Sequence, residues 1–383
     1  MKFSTLFILL FFFVFSFTKA EDVSVIQPSE STFQELVAKE KKAYAEEAAK
    51  VKTGESKYNP VPVIMSHLAD GHDWHFWGEG ENSFTIPLPV ILWDNGLKIF
   101  MSSKFHHNEE VAEVDGVHYF NYNEKIYKTD AQGTVTFEPN EKGEMKIANE
   151  MPLDFSITKN VASMLLSVVI MILLFGAVAA NYKKQGKEGY VPRGVAGFIE
   201  PIIIFIRDEV AIPNIGEKKY ARYMPYLLTL FFFIWINNLL GLLPGAANLT
   251  GNIAVTLVLA VIALIVINVS GNKHYWGHML WMPGVPVPVK LILAPIELVG
   301  ILTKPFALMI RLFANITAGH IIIMSLISII FIFQTEAVAL GALPLTLFID
   351  FLELLVAVLQ AFIFTMLVSL FIGAAVADPE EGH

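Results

Sequence analysis

The 383-residue sequence contains no cysteine. That excludes disulfides, thiolate metal sites and a lipid-anchored cysteine. Charge is scarce as well. Asp, Glu, Lys and Arg make up 16% of the chain, against 54% apolar residues. No Gly-rich phosphate loop of the Walker type occurs, no HExxH, and no nucleophile with a base beside it. A nucleotide site and the common hydrolytic centres therefore have no signature here. The net charge of −9 gives no sign of nucleic-acid binding.

The apolar excess is uneven. Residues 21–153 are polar and charge-rich, whereas long Leu/Ile/Val/Phe runs dominate from about residue 160. The chain thus divides into a soluble part and a membrane part. The first twenty residues, MKFSTLFILLFFFVFSFTKA, have one Lys before an apolar run over 6–17, then Thr18-Lys19-Ala20. That is the shape of a secretory signal cleaved after Ala20, an uncleaved anchor being the alternative. The expected division is a signal peptide at 1–20, an exported extension at 21–155 and a membrane domain at 156–383.

Within the extension, FQELVAKEKKAYAEEAAKVK reads as a solvated helix or a mobile arm. From about residue 58 to 151, short alternating stretches with turns at Asp94-Asn95-Gly96 and Gln132-Gly133 predict a small β-rich domain. The expected fold class is therefore a membrane all-α protein with a small exported β-rich N-terminal domain.

Five hydrophobic segments follow, at about 161–181, 224–243, 252–270, 287–333 and 338–377. The last two exceed the roughly 20 residues of an upright span, so they must tilt strongly, lie along the membrane or break. Lys183, Lys184, Lys187, Arg193, Lys218, Lys219 and Arg222 all fall between the first two segments, which places that loop inside. The loop at 245–251 has no Lys or Arg and belongs outside, and the tail belongs inside. The stretch VAGFIEPIIIFIRDEVA within the basic loop is too short and too charged to span and reads as a helix lying at the membrane surface.

The polar residues of the last two segments need a reason to be there. On a helix, Glu297, Lys304 and Arg311 are seven apart and drift only about 20° per step. Asn315, Ala307, Ala314 and Ala318 join that stripe, so one face offers charge and small side chains to a neighbouring helix. His320 falls on the other side. In the fifth segment Asp350, Glu353, Ala357 and Gln360 form a second polar stripe. Two such stripes suggest an aqueous or proton-conducting path. Glu and His can exchange protons, while Arg cannot and acts as a fixed charge. Plainer readings stand beside these: interfacial snorkelling for Glu297 and Lys304, an outer-surface position for Asp350, a helix–helix hydrogen bond for Gln360, and a salt bridge for Arg311.

KPFALMIRLFANITAGH followed by FLELLVAVLQAFIFTMLVSLFIG resembles the a subunit of F-type ATP synthases, the static half of the proton channel. NNLLGLLPG and NIAVTL fit the same family, and the resemblance covers roughly 192–377, with an N-terminal extension of the kind found in some bacterial members. It implies that Arg311 faces a carboxylate on the rotor ring. Asn315 matches the polar residue one turn later, and Gln360 a glutamine near the arginine on the last helix. Glu297 and Lys304 match upstream polar positions, and His320 and Glu353 an interacting pair across the last two helices. The implied partners are the c-subunit ring, the b subunits of the peripheral stalk, indirectly the catalytic head, and the lipid bilayer of a bacterial inner membrane. The extension would be periplasmic and the C-terminus cytoplasmic. The implied role is non-catalytic, with no cofactor. Sodium in place of protons stays open.

The main competing class is a secondary transporter or channel with an exported sensing domain, which predicts inverted repeats, and none is visible. In the extension, His67, His72, His75, His106, His107 and His118 are candidate metal ligands, an outer cap or lid being the plainer reading. Signal cleavage predicts a mature subunit beginning at Glu21. The intact mass of the purified subunit checks this, and a mass that still includes residues 1–20 rules it out.

Overall fold

The computed structural model describes residues 31–53, 59–77, 84–139, 145–184, 194–243, 245, 247–281 and 286–377. The expected signal segment, Lys187 and Arg193 of the basic loop, and the tail 378–383 lie outside the described residues. The strands are β1 (Ser31–Thr32), β2 (Asp73–Trp77), β3 (Phe84–Pro87), β4 (Pro89–Trp93), β5 (Leu97–Met101), β6 (Ala112–Val114), β7 (Val117–Tyr122), β8 (Lys125–Thr129), β9 (Thr134–Val135), β10 (Phe137–Pro139), β11 (Met145–Ile147) and β12 (Leu153–Asp154). The helices are α1 (Phe33–Thr53), α2 (Val61–Leu68), α3 (Lys159–Lys184), α4 (Val195–Phe205), α5 (Ile212–Ile215), α6 (Tyr220–Gly241), α7 (Ile253–Ser270), α8 (Lys273–Leu280), α9 (Val287–Phe333) and α10 (Glu336–Val376). A π-helical turn, Ile206–Ala211, joins α4 to α5.

Two compact units result: Met1–Ala43 with Lys104–Leu153, and Tyr44–Ser103 with Asp154–His383. In the first, β6, β7 and β8 form an antiparallel meander. Phe120 and Tyr127 from it bury against Phe33 and Val135. The α1 stretch is a helix and largely exposed, as expected of a solvated helix, but Phe33 at its start is fully buried and anchors it. Its first turn is fixed by a reciprocal cap. Thr32 Oγ1 accepts from the Glu35 amide at 3.3 Å, and Glu35 Oε2 accepts from the Thr32 amide at 3.2 Å. The T-x-x-E signature for this cap is readable in the sequence.

In the second unit, α3, α6, α7, α9 and α10 are long and apolar enough to cross a membrane. They coincide with the five hydrophobic segments. α9 has 47 residues and α10 has 41. At 1.5 Å per residue they run about 70 Å and about 60 Å, roughly twice the hydrocarbon thickness of about 30 Å. Neither can stand upright within it. Pro295 and Pro305 interrupt the hydrogen-bond ladder of α9, and Pro344 that of α10.

The 195–215 stretch is helical, as expected, and one of its faces is buried: Ala196, Ile199, Ile206, Val210, Ala211 and Ile215 lie in the main core, while Phe198, Phe205, Arg207 and Asp208 are exposed. The cause lies on α10. Glu353, Ala357, Ala361, Thr365, Ser369 and Gly373 recur at every fourth position, and all are buried. Steps of four residues advance about 40° each, so this stripe of mostly small groups winds around the helix and admits a different neighbour at each level. At Ala357 the carbonyl accepts from Asn238 Nδ2 of α6 at 2.9 Å. At Ser369 the hydroxyl donates to the Val210 carbonyl of the π turn at 3.0 Å. At Gly373 the backbone meets the Asn214 carbonyl so closely that an added Cβ overlaps it.

Hydrogen bonds sort the loops into two ends. At one end the Lys159 amide donates to Gly71 O at 2.9 Å. There Asp70 also accepts from Thr158 Oγ1 and from the Asn160 amide, and Trp74 Nε1 donates to Gly245 O at 2.9 Å. At the other end Lys219 Nζ donates to Val376 O at 2.6 Å, and the Asn272 amide to Ala375 O at 3.0 Å. These donors satisfy carbonyls that the end of α10 would otherwise leave orphaned. The alternation of the five spans follows, because the start of α3, the end of α6 and the start of α7 share one end.

Gly373→Val forces a branched side chain against the Asn214 backbone. Overpacking of this kind costs about 1–3 kcal/mol. The expected outcome is a lower thermal unfolding midpoint of the detergent-solubilised subunit. An unchanged midpoint contradicts the tight contact.

Candidate functional site between the last two helices

α9 and α10 pack along each other through much of their length. Two contacts fix their antiparallel register. Lys304 Nζ lies 5.2 Å from the Phe371 ring centroid, within cation–π range. Sixteen residues further along α9, His320 Nδ1 lies 3.7 Å from Glu353 Oε1. Arg311 falls between the two contacts on α9, as Gln360 does on α10.

The Glu353 side chain is 3% exposed, and its two oxygens have no hydrogen-bond partner among the described residues. A carboxylate buried this deeply must share a proton or a charge with a neighbour, because burial of an unpaired ion is too costly. His320, 14% exposed, is positioned for that. At 3.7 Å the pair is an ionic contact and not yet a hydrogen bond. Room for the carboxylate comes from Gly319, where an added Cβ falls 2.8 Å from Glu353 Oε1. The sequence signal for this was the A-G-H run, in which a small residue precedes the histidine.

On the opposite side of α9 the stripe anticipated from the sequence is open. Lys304, Ala307, Arg311, Ala314, Asn315 and Ala318 are exposed, while Leu308, Leu312 and Ile316 behind them are buried against the bundle. Of the five long apolar helices α9 is the least covered by its own chain. Glu297, nearer its start, is half-buried. Burial pushes the Tyr275 phenol on α8 up, and the charge of Glu297 adds to that shift. On α10, Glu353, Ala357 and Gln360 face inward, whereas Asp350 is exposed. The structure therefore brings His320 to Glu353, leaves Arg311 and Asn315 on an open face, and buries Gln360.

A residue pair not singled out from the sequence holds the site in place. Asn237 and Asn238, adjacent in α6, reach in different directions. Asn237 Nδ2 donates to Ser167 Oγ of α3 at 2.9 Å. Asn238 spans from Ala357 O to Thr250 Oγ1, which donates to Asn238 Oδ1 at 2.7 Å. Two neighbouring amides in an apolar span were the available signal. Losing one such buried partner costs about 1–3 kcal/mol. Among the described residues no three His, Cys, Asp or Glu side chains gather to hold an ion. His72 instead pairs with Asp154, Nε2 to Oδ2, at 2.8 Å.

The family described as ATP synthase A chain matches residues 161–373, more than half of the chain. The chain belongs to that family. Its relatives agree. ATP synthase subunit a of Chlorobium phaeobacteroides is 50% identical over 236 residues, 60% of this chain and 68% of the relative. The subunit of the same name from Chloroherpeton thalassium is 45% identical over 232 residues, 60% of this chain and 69% of the relative. ATP synthase subunit a 2 of Prosthecochloris aestuarii is 41% identical over 312 residues, 78% of this chain and 94% of the relative. The last match is longer than the family region, so that relative also shares part of the extension. A Domain of unknown function (DUF8433) matches residues 63–155. As a family member with five apolar helices, the chain is a multi-pass membrane protein.

Gly319→Ala puts a methyl group where the Glu353 carboxylate sits. Proton transport by the assembled complex is expected to fall about tenfold, a shift of roughly 1.4 kcal/mol in the barrier. Serine at the same site should impair it more. Full transport by both variants would show that the carboxylate does not need that space.

Proposed function

We propose that this chain is the proton-conducting stator subunit of an F-type ATP synthase. The observation that carries the reading is a buried carboxylate–imidazole pair on one side of α9 and an open, arginine-bearing face on the other. His320 and Glu353 pass protons arriving from one side of the membrane. A ring of c subunits, each with a carboxylate, turns against the open face, where the alanines let its helices come close. Arg311 cannot give up its proton, so it pairs with each deprotonated carboxylate and blocks a direct leak between the two half-channels. At about 4 Å and an effective dielectric of about 20, such a pair is worth about 4 kcal/mol. Asn315 and Gln360 orient the arginine and its carboxylate partner. Glu297, with Lys304 above it, lines the exit toward the end where Tyr275 and Asn272 sit.

The sidedness follows from charge. Lys183, Lys184, Lys218, Lys219, Arg222 and Lys273 gather at the exit end, which is therefore cytoplasmic, with the C-terminus. The extension, held at the other end through Trp74 and Asp70, is periplasmic. A signal peptide at 1–20, an exported extension at 21–155 and a membrane domain at 156–383 in the bacterial inner membrane fit this arrangement. The subunit performs no bond-making chemistry of its own and takes no cofactor. Through the ring and the b subunits of the peripheral stalk it couples proton flow to the catalytic head.

The test is ATP-driven proton pumping in inverted vesicles carrying Arg311→Ala, with assembly checked by co-purification of head and ring. Pumping should fall at least about 100-fold while the complex stays assembled, as expected for the loss of roughly 3–4 kcal/mol. Undiminished pumping, or an unmutated chain that brings down neither ring nor head, would sink the reading.

A further inference from the structure

The hairpin of β4 and β5 carries apolar side chains on both faces, with Lys98, opposite Leu92, as the one charge on its strands. Its cross-strand pairs alternate. Val90 with Phe100, and Leu92 on the same side, are buried. Pro89 with Met101, Ile91 with Ile99, and Trp93 with Leu97 make up the other face. The segment after β12 extends the sheet, since the Phe155 amide donates to Ile91 O at 2.8 Å and the Ile157 amide to Pro89 O at 3.0 Å. That spacing sets Phe155 opposite Ile91, on the second face. This face lies open. Trp93 is 54% exposed, Leu97 56%, Ile99 61% and Phe155 64%. None of the seven side chains on it is charged. Contiguous apolar surface of this sort marks an interaction site in a folded protein.

What covers it follows from where the sheet is tied. Phe155 is four residues from Lys159, where the membrane-crossing α3 begins, so its backbone lies within about 14 Å of that helix start. The loop before β2 is bonded to the same helix start through Asp70 and Gly71. β2 itself is bonded to the loop between α6 and α7, where Trp74 Nε1 meets Gly245 O and the Gly245 backbone passes so near Phe76 that a Cβ there would lie 2.8 Å from its Cα. The unit is thus tied to two span ends at one side of the bilayer. Tryptophan and other large apolar groups without charge suit the headgroup–acyl boundary.

We propose that the open face of the β4–β5 sheet, with Trp93, Leu97, Ile99, Met101 and Phe155, lies in the lipid interface of the leaflet from which α3 starts. This sheet is then seated in the membrane interface, and lipid, not a protein partner, covers its open face. The proposal does not depend on the proton pathway.

The absence of cysteine makes the test direct, because a single introduced cysteine is the only labelling site in this subunit. Ile99→Cys and, separately, Leu97→Cys are spin-labelled in the complex reconstituted in phospholipid vesicles. Leu173→Cys on the exposed side of α3 and Glu113→Cys, an exposed side chain of β6, serve as references. The collision rates of each label with oxygen and with a water-soluble nickel chelate are then compared. Lipid contact requires oxygen to dominate at both sheet positions, between the two references and nearer to Leu173. Nickel access equal to that of Glu113 places the face in water and overturns the proposal. Protection from both reagents places it under another protein chain and overturns it equally.

Discussion

The close fit around α10 is the constraint on which the membrane part depends. A helix in lipid gains nothing from burying more apolar surface against its neighbours, so association rests on close packing and interhelical hydrogen bonds. The fourfold stripe from Glu353 to Gly373 supplies both. Because it winds, α9 meets Glu353, α6 meets Ala357, and the α4–α5 segment meets Ser369 and Gly373. Large side chains at these levels would push the neighbours away and leave Asn238 and the Val210 carbonyl without partners. The π turn at Ile206–Ala211 belongs to the same scheme, since the Val210 carbonyl that it frees accepts from both Ser369 Oγ and Asn214 Nδ2.

Gripping α10 from several sides leaves α9 with one covered face and one bare one. The covered face carries Leu308, Leu312 and Ile316 into the bundle and brings His320 to Glu353. The bare face carries Arg311 among alanines. A fixed cation on a lipid-exposed surface is costly in an isolated chain. It is tolerable where a partner brings the opposite charge, which is the physical content of the rotor reading. On that reading, the thickness of one helix separates charge transfer from charge blocking.

The segment 70–74 is bonded to the membrane helices. Asp70 and Gly71 hold the start of α3, and Trp74 holds the loop carrying Asn248 and Thr250. Burial pushes the Asp154 carboxyl up, but hydrogen bonds from His72 and Ser156 outweigh that and hold it below its ordinary range. Through Thr250 and Asn238 the same loop reaches α10. The segment carrying Trp74 and the helix that carries Glu353 are therefore joined by three successive hydrogen bonds.

The sequence by itself determined the five spans, the β-rich extension and the two polar stripes, because hydropathy and periodicity are local properties of the chain. It also placed Arg311 and His320 on opposite sides of α9, since 100° per residue leaves no choice. It did not show that Phe33 at the start of α1 and Ile206 in the 195–215 stretch are buried, because both find distant partners that no local pattern encodes. Only the tertiary structure decided that Gly319 makes room for Glu353, that adjacent asparagines reach to different helices, and that Asp350 stays outside the stripe it seemed to join. Each of these depends on which neighbour stands at a given level of a helix. That is set by the packing of residues far apart in sequence, where small side chains allow approach and buried polar groups demand partners.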